Sequence, residues 1–252
     1  NYRILLFGSP SSGKTSIINM LTGENNSISN AATGQTFECD ETEFNYNNSK
    51  YVFFDTIGIN ESSIAKENSS IKNLKKFLVQ IHSGFNLIIH VTKIGSILEN
   101  DKKNYDFLIA GLFHSQLPSI LAITHAENEE SIETYWETNK FNFKLKDMIY
   151  SDGIAICSGF PKNEKLKHAF ELMRNKSKKR LWEVIEKNIH KELIYPSENK
   201  FMDIFLKIFK NIPSNIVHFF YSFNEALENN SLANQKPHKT KNEIINILLL
   251  YE

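Results

Sequence analysis

At 252 residues and 41% hydrophobic content, the chain is long enough for one sizeable domain with an extension. Its 29 basic residues balance 29 acidic ones, which excludes the global basic field of a general nucleic-acid binder, so no nucleic-acid partner is expected. Two cysteines, Cys39 and Cys157, exclude a disulfide framework and favour a reducing, cytoplasmic compartment, and no apolar run is long enough to span a bilayer. The chain opens on Asn1 rather than Met, which leaves a targeting segment open.

Taken in order, residues 4–7 read as a buried strand and residues 16–21 as a helix directly behind a Gly/Ser loop. Residues 36–46 alternate loosely and predict a more exposed strand, paired as a hairpin with residues 51–54 across Asn47-Asn48-Ser49. Ile71, Leu74, Leu78 and Ile81 sit at helical spacing. Residues 87–91 form the next buried strand, followed by a helix through Tyr105, Leu108, Ile109 and Leu112 that stops before Pro118. Residues 119–124 and 153–158 are the last strands, with a helix beginning at residues 132–136 between them. A long helix over residues 164–189 would bury Leu166, Phe170, Met173, Leu181, Val184 and Ile185. Strands alternating with helices predict an α/β fold, a mainly parallel sheet flanked by helices. A boundary is expected near residue 195, with residues 1–195 as the main domain and 196–252 as a helical C-terminal extension.

The loop behind the first strand carries the chemistry. Gly8-Ser9-Pro10-Ser11-Ser12-Gly13-Lys14-Thr15 fits G-x-x-x-x-G-K-[ST] in full, between a strand and a helix, and Ser16 continues into the helix. Glycines allow a tight turn whose successive N–H groups form an anion nest, and the helix adds its positive end. Lys14 is expected to bridge the β- and γ-phosphates, and the Thr15 hydroxyl to ligate Mg²⁺. Asp55-Thr56-Ile57-Gly58 closes the third strand: Asp55 is placed to hold a magnesium water, and Gly58 lets a backbone N–H approach the γ-phosphate. A switch threonine would complete the Mg²⁺ shell only when a γ-phosphate is present. Thr36 is the first choice and Thr33 the second.

The base should be read after the 119–124 strand, at Thr124-His125-Ala126-Glu127-Asn128. A carboxylate accepts from guanine N1–H and the 2-amino group, donors that adenine lacks there. Glu127 is the candidate, with Asn128 the alternative if the frame shifts by one. His125 either touches the base or is a surface histidine. Cys157-Ser158-Gly159 would offer backbone N–H groups to the guanine carbonyl, from Ser158 and Gly159.

Together these residues resemble the AIG/GIMAP-type, septin-like GTPases, a family related to the chloroplast outer-envelope import GTPases. The carriers are GSPSSGKTS, DTIG and the Thr124-His125 pair, with the 91–96 segment, Val91-Thr92-Lys93-Ile94-Gly95-Ser96, resembling that family's box after its strand. Cys39, three residues after Thr36, supports Thr36 as the switch by the same comparison. The resemblance covers about residues 3–190. It implies a Ras-like P-loop NTPase fold, GTP/GDP and Mg²⁺ as ligands, and nucleotide-dependent association between G-domains.

Ile59 stands where Ras-like proteins place a water-orienting glutamine, and without that group hydrolysis should be slow. Arg3, Arg174 and Arg180 are read as lying away from the active face, so no self-supplied arginine finger is expected. A nucleotide-bound scaffold that hydrolyses nothing, and a P-loop ATPase or kinase, are the competing readings. Lys176, Lys178, Lys179 and Arg180 form a basic cluster, read as a solvated helix face with anionic lipid as the alternative. The aromatic stretch over residues 201–223 must be buried, on its own domain by default or against a protein or membrane partner otherwise, which makes peripheral membrane contact the alternative to a purely cytoplasmic location.

Overall fold

The computed structural model describes residues 1–23, 39–56, 77–161, 163–196 and 201–208, with positions 214, 216–219, 221–222 and 225 beyond them. Its centre is β1 (Tyr2–Phe7), whose last four residues, Ile4-Leu5-Leu6-Phe7, are apolar and buried. β1 pairs in parallel with β3 (Ser49–Thr56) on one side and β4 (Leu87–Lys93) on the other. Outside β4 come β5 (Ser119–Thr124) and β6 (Asp152–Ala155), both parallel. β2 (Cys39–Tyr46) closes the opposite edge antiparallel to β3. The order among the described residues is β2-β3-β1-β4-β5-β6. The β2–β3 hairpin turns at Asn47 and Asn48, both at positive φ (44° and 60°), the conformation that two-residue hairpin loops demand and asparagine tolerates.

Because strand side chains alternate, each face of the sheet carries its own core. Ile4, Leu6, Phe53, Ile89 and Val91 face α1 (Lys14–Thr22) and α4 (Lys167–Asn188). Leu5, Phe7, Phe54, Ile88 and Ile123 face the other way. That side is covered by α2 (Glu99–Tyr105), the π-helix Asp106–Leu112 that continues it, and α3 (Tyr135–Lys144). A last helix, α5 (Phe201–Ile208), packs on the π-helix: the Phe205 ring meets Phe107 edge-on with centroids 5.5 Å apart. Gly111 permits this approach, since a Cβ there would lie 2.6 Å from Ile204 Cγ2. The aromatic C-terminal stretch therefore buries Phe205, Ile216 and Phe219 against its own domain, the default expectation.

Several elements differ from expectation. The helix through Leu108 begins at Glu99 as an α-helix and becomes a π-helix, a wide turn that helical periodicity does not distinguish. The 164–189 helix starts with a 3₁₀ turn at Glu164–Leu166. Its inward face is Ser177, Leu181, Trp182 and Ile185, all in its second half, whereas Leu166 is exposed and Phe170 and Met173 only half-buried. β6 is shorter than the 153–158 run, since Ile156 joins Ile123 by a single hydrogen bond as the chain leaves the sheet. The start of the exposed strand at residues 36–38, the helix at residues 71–76, Thr33, Thr36, Gly58 and Ile59 lie outside the described residues.

Candidate nucleotide site

The C-terminal ends of the parallel strands β1, β3, β4, β5 and β6 lie along one edge of the sheet, where the candidate residues gather. The first of these is the Gly8–Thr15 loop. Gly8 has φ 151°, and a Cβ on it would sit 2.1 Å from the Val91 carbonyl oxygen, so only glycine allows the loop to leave the strand here. Ser11 (φ 58°) and Gly13 (φ 98°) are also left-handed, and the turn is closed by Ser12 N–H donating to Ser9 O at 3.1 Å. Alternation of this kind turns successive amides to one side of the loop, which defines the nest. Pro10 and Ser11 form its exposed tip, while Ser12 is buried and Ser16 half-buried on the first turn of α1.

Lys14 is buried, and its Nζ donates to Gly8 O and Ser9 O, both at 3.0 Å, so the ammonium lies across the loop's mouth. Burial lowers its pKa to about 8, with the negative charge of Asp55 pulling the other way. The Thr15 hydroxyl donates to Asp55 Oδ2 at 2.5 Å. Asp55 sits near the end of β3, level with Leu6 of β1, and burial raises its pKa against the opposing Thr15 hydrogen bond. Thr15 and Asp55 are both hard oxygen donors and the fold brings them into contact, which fits Mg²⁺. Among the described residues no cluster of three His, Cys, Asp or Glu side chains gathers around a metal, so the phosphate oxygens of a nucleotide would supply the rest of the shell.

At the end of β5, Thr124 does something the sequence reading did not assign to it. Its hydroxyl lies 2.6 Å from Ser12 O, 3.1 Å from Thr92 O and 2.9 Å from His125 Nδ1. A hydroxyl has one proton, so Oγ1 donates to only one of the two carbonyls at a time and has lone pairs left to accept from a ring N–H. His125 is exposed at φ 60°, turned outward beside the loop. Glu127 is half-buried and its Oε1 lies 3.5 Å from the position a Cβ on Gly159 would take. Burial and the nearby Glu127 carboxylate push the Cys157 thiol up to about 12. Glu127, Ser158 and Gly159 are therefore neighbours, while Asn128 is exposed. Arg174 departs from expectation: its guanidinium stacks on Phe160 at 4.0 Å and lines one cavity with Gly159, which places it at this end of the domain. A cavity of about 250 Å³ opens beside Gly159, lined by Asn19, Met20, Phe160 and Arg174 among others.

The fold and this loop define a GTP-binding domain with the Ras-like P-loop GTPase fold. Residues 3–125 match the family described as 50S ribosome-binding GTPase. GTPase Der of Lachnospira eligens is 28% identical over 174 residues, 68% of this chain and 38% of the relative. GTPase Der of Campylobacter jejuni is 24% identical over 207 residues, 82% of this chain and 39% of the relative. The chain thus spans well under half the length of these curated relatives. Among solved structures, Era in complex with MgGDPNP and nucleotides 1506–1542 of 16S ribosomal RNA superposes with a TM-score of 0.55 at 17% identity, over 82% of this chain and 65% of the other. An Aquifex aeolicus Era variant bound to GDP and aluminium fluoride gives 0.54 at 15%, with the same coverage.

Proposed function

We propose that this chain is a GTP/GDP-dependent switch of slow turnover that works by nucleotide-dependent association between its own G-domains. The observation that carries the guanine reading is the adjacency of Glu127 to Gly159 beside the phosphate loop. There a carboxylate would accept from N1–H and the 2-amino group while the Ser158 and Gly159 amides meet the carbonyl. Thr124 and His125 stand at the head of that segment, and the pair supports the AIG-type reading. The chain's own groups do the binding: loop amides and Lys14 hold the β- and γ-phosphates, and Thr15 and Asp55 hold Mg²⁺, with Thr36 and Gly58 expected at the γ-phosphate. The ion, when bound, would offset charge between the two phosphates. Slow hydrolysis is proposed because Ile59 offers no hydrogen bond to orient water. Turnover of GTP under single-turnover conditions, with the oligomeric state followed by light scattering in GDP and in GDPNP, tests it. A slow rate and a dimer confined to GDPNP are expected, and a fast monomeric enzyme would reject it.

The matching family's description favours a second reading, association with the 50S ribosomal subunit. The zero net charge supports a partner other than nucleic acid, in the cytoplasm or at a membrane surface reached through the C-terminal helices. Co-sedimentation with 50S subunits in the presence of GDPNP decides between them.

A further inference from the structure

A second side chain, besides Thr124, holds the phosphate loop. The Ser9 hydroxyl, at the loop's second position, donates to Asp101 Oδ1 at 2.9 Å and accepts from Asn100 Nδ2 at 3.0 Å. The second oxygen of Asp101 accepts the Leu98 backbone N–H at 3.1 Å, at the start of α2. Asp101 is only 4% exposed, so its carboxylate is withdrawn from water and committed to these two donors. Ser9 and Asp101 are 92 residues apart in sequence. The loop is therefore tied at Ser9 by α2 and at Ser12 by β5, with the exposed tip, Pro10 and Ser11, suspended between the two ties.

We propose that Asp101 is a positioning residue for nucleotide binding: through the Ser9 hydroxyl it holds the phosphate loop in its cradling shape before phosphate arrives. The inference rests on the nucleotide reading of the loop. Two ties fix the amides of a four-residue arc, so the ordering cost falls on folding rather than on binding. Releasing one tie lets the arc relax whenever the phosphates loosen, and the effect is a faster loss of bound nucleotide. Asn100 supplies the second hydrogen bond to the same hydroxyl and keeps its proton pointed at Asp101.

Release of a fluorescent GDP analogue from the full chain with Mg²⁺ tests this, in Ser9→Ala, Asp101→Asn and the double variant. Ser9→Ala leaves the Asp101–Leu98 bond in place, so it breaks the tie without uncapping α2. Each single variant is expected to release GDP about five- to tenfold faster. The double variant should be no faster than the faster single, because both remove one interaction. Ser9→Thr, which keeps the hydroxyl, should release more slowly than Ser9→Ala. Wild-type release from Ser9→Ala, or single effects that multiply in the double variant, would overturn the proposal while leaving the nucleotide reading standing. Failure of the wild-type chain to take up the GDP analogue would overturn both. If Asp101→Asn does not fold, the contrast between Ser9→Ala and Ser9→Thr decides alone.

Discussion

The Thr124 hydroxyl lies 2.6 Å from the backbone oxygen of Ser12, joining the segment proposed to read the base to the loop proposed to hold the phosphates. The two ends of a nucleotide site are thus fixed relative to one another by a single side chain. Thr124→Val keeps the shape and removes the donor, leaving a buried carbonyl short of one partner at a cost of about 1–3 kcal/mol. GDP affinity is expected to fall about tenfold or more by calorimetry, and Thr124→Ser should restore most of it.

Glu127 sets up an exchange of base preference. Xanthine carries a carbonyl where guanine has its 2-amino group, so Glu127→Gln would offer it a donor in place of an acceptor. Weaker GTP binding with a gain toward xanthosine triphosphate is expected in a competition assay. A variant that loses both nucleotides equally would show that Glu127 does not face the base.

Lys14 makes binding sensitive to alkaline pH. Its pKa near 8 in the free chain lies below the usual 10.5, and phosphate at the loop would raise it. Affinity should therefore be greatest below pH 8 and fall above it, at most tenfold per pH unit, with one proton taken up on binding in that range. Calorimetry in two buffers of different ionisation enthalpy measures the proton. Lys14→Met should bind weakly and show a flat profile.

His90 bears on stability at the acid end. It lies buried in β4, stacked on Phe7 at 4.4 Å with its Nδ1 2.6 Å from the Tyr150 hydroxyl, and its Nε2 has no partner among the described residues. Burial, with a smaller push from Lys14, holds its pKa near 3. The folded chain keeps this ring neutral while the unfolded chain protonates it below pH 6.5, so stability is lost as pH falls from 6.5 toward 3. Between pH 6.5 and 5 the loss from this one group is about 2 kcal/mol. Urea unfolding at the two pH values checks it, and His90→Gln should shrink the difference.

Trp182 anchors the other core. It is 1% exposed and stacks on Tyr46 with centroids 4.0 Å apart, among Phe44, Tyr51 and Phe53. Trp182→Ala should cost about 3–5 kcal/mol in urea unfolding without touching the loop.

Much of this was legible in the residues themselves. The buried run ending at Phe7, the G-x-x-x-x-G-K-[ST] loop and the strand ending near Asp55 are local signals, and each sits where its pattern places it. What escaped were relationships across the fold. Ser9 and Asp101 are far apart in sequence, and an aspartate in an ordinary polar helix start carries no mark of its partner. Thr124 looked like half of a base-reading pair because nothing local shows that β5 ends beside Ser12. Helical periodicity draws the apolar face through Leu166 and Met173 and leaves Trp182 unmarked, whereas the buried residues all lie in the second half of that helix.

The most direct measurement is a competition at the loop: fluorescent GTP bound to the purified chain with Mg²⁺, challenged with unlabelled GTP and, separately, with ATP. Displacement by GTP at stoichiometric concentrations, with ATP ineffective at a large excess, is the expected result. Equal displacement by ATP, or no GTP bound at saturation, would contradict a guanine-specific switch.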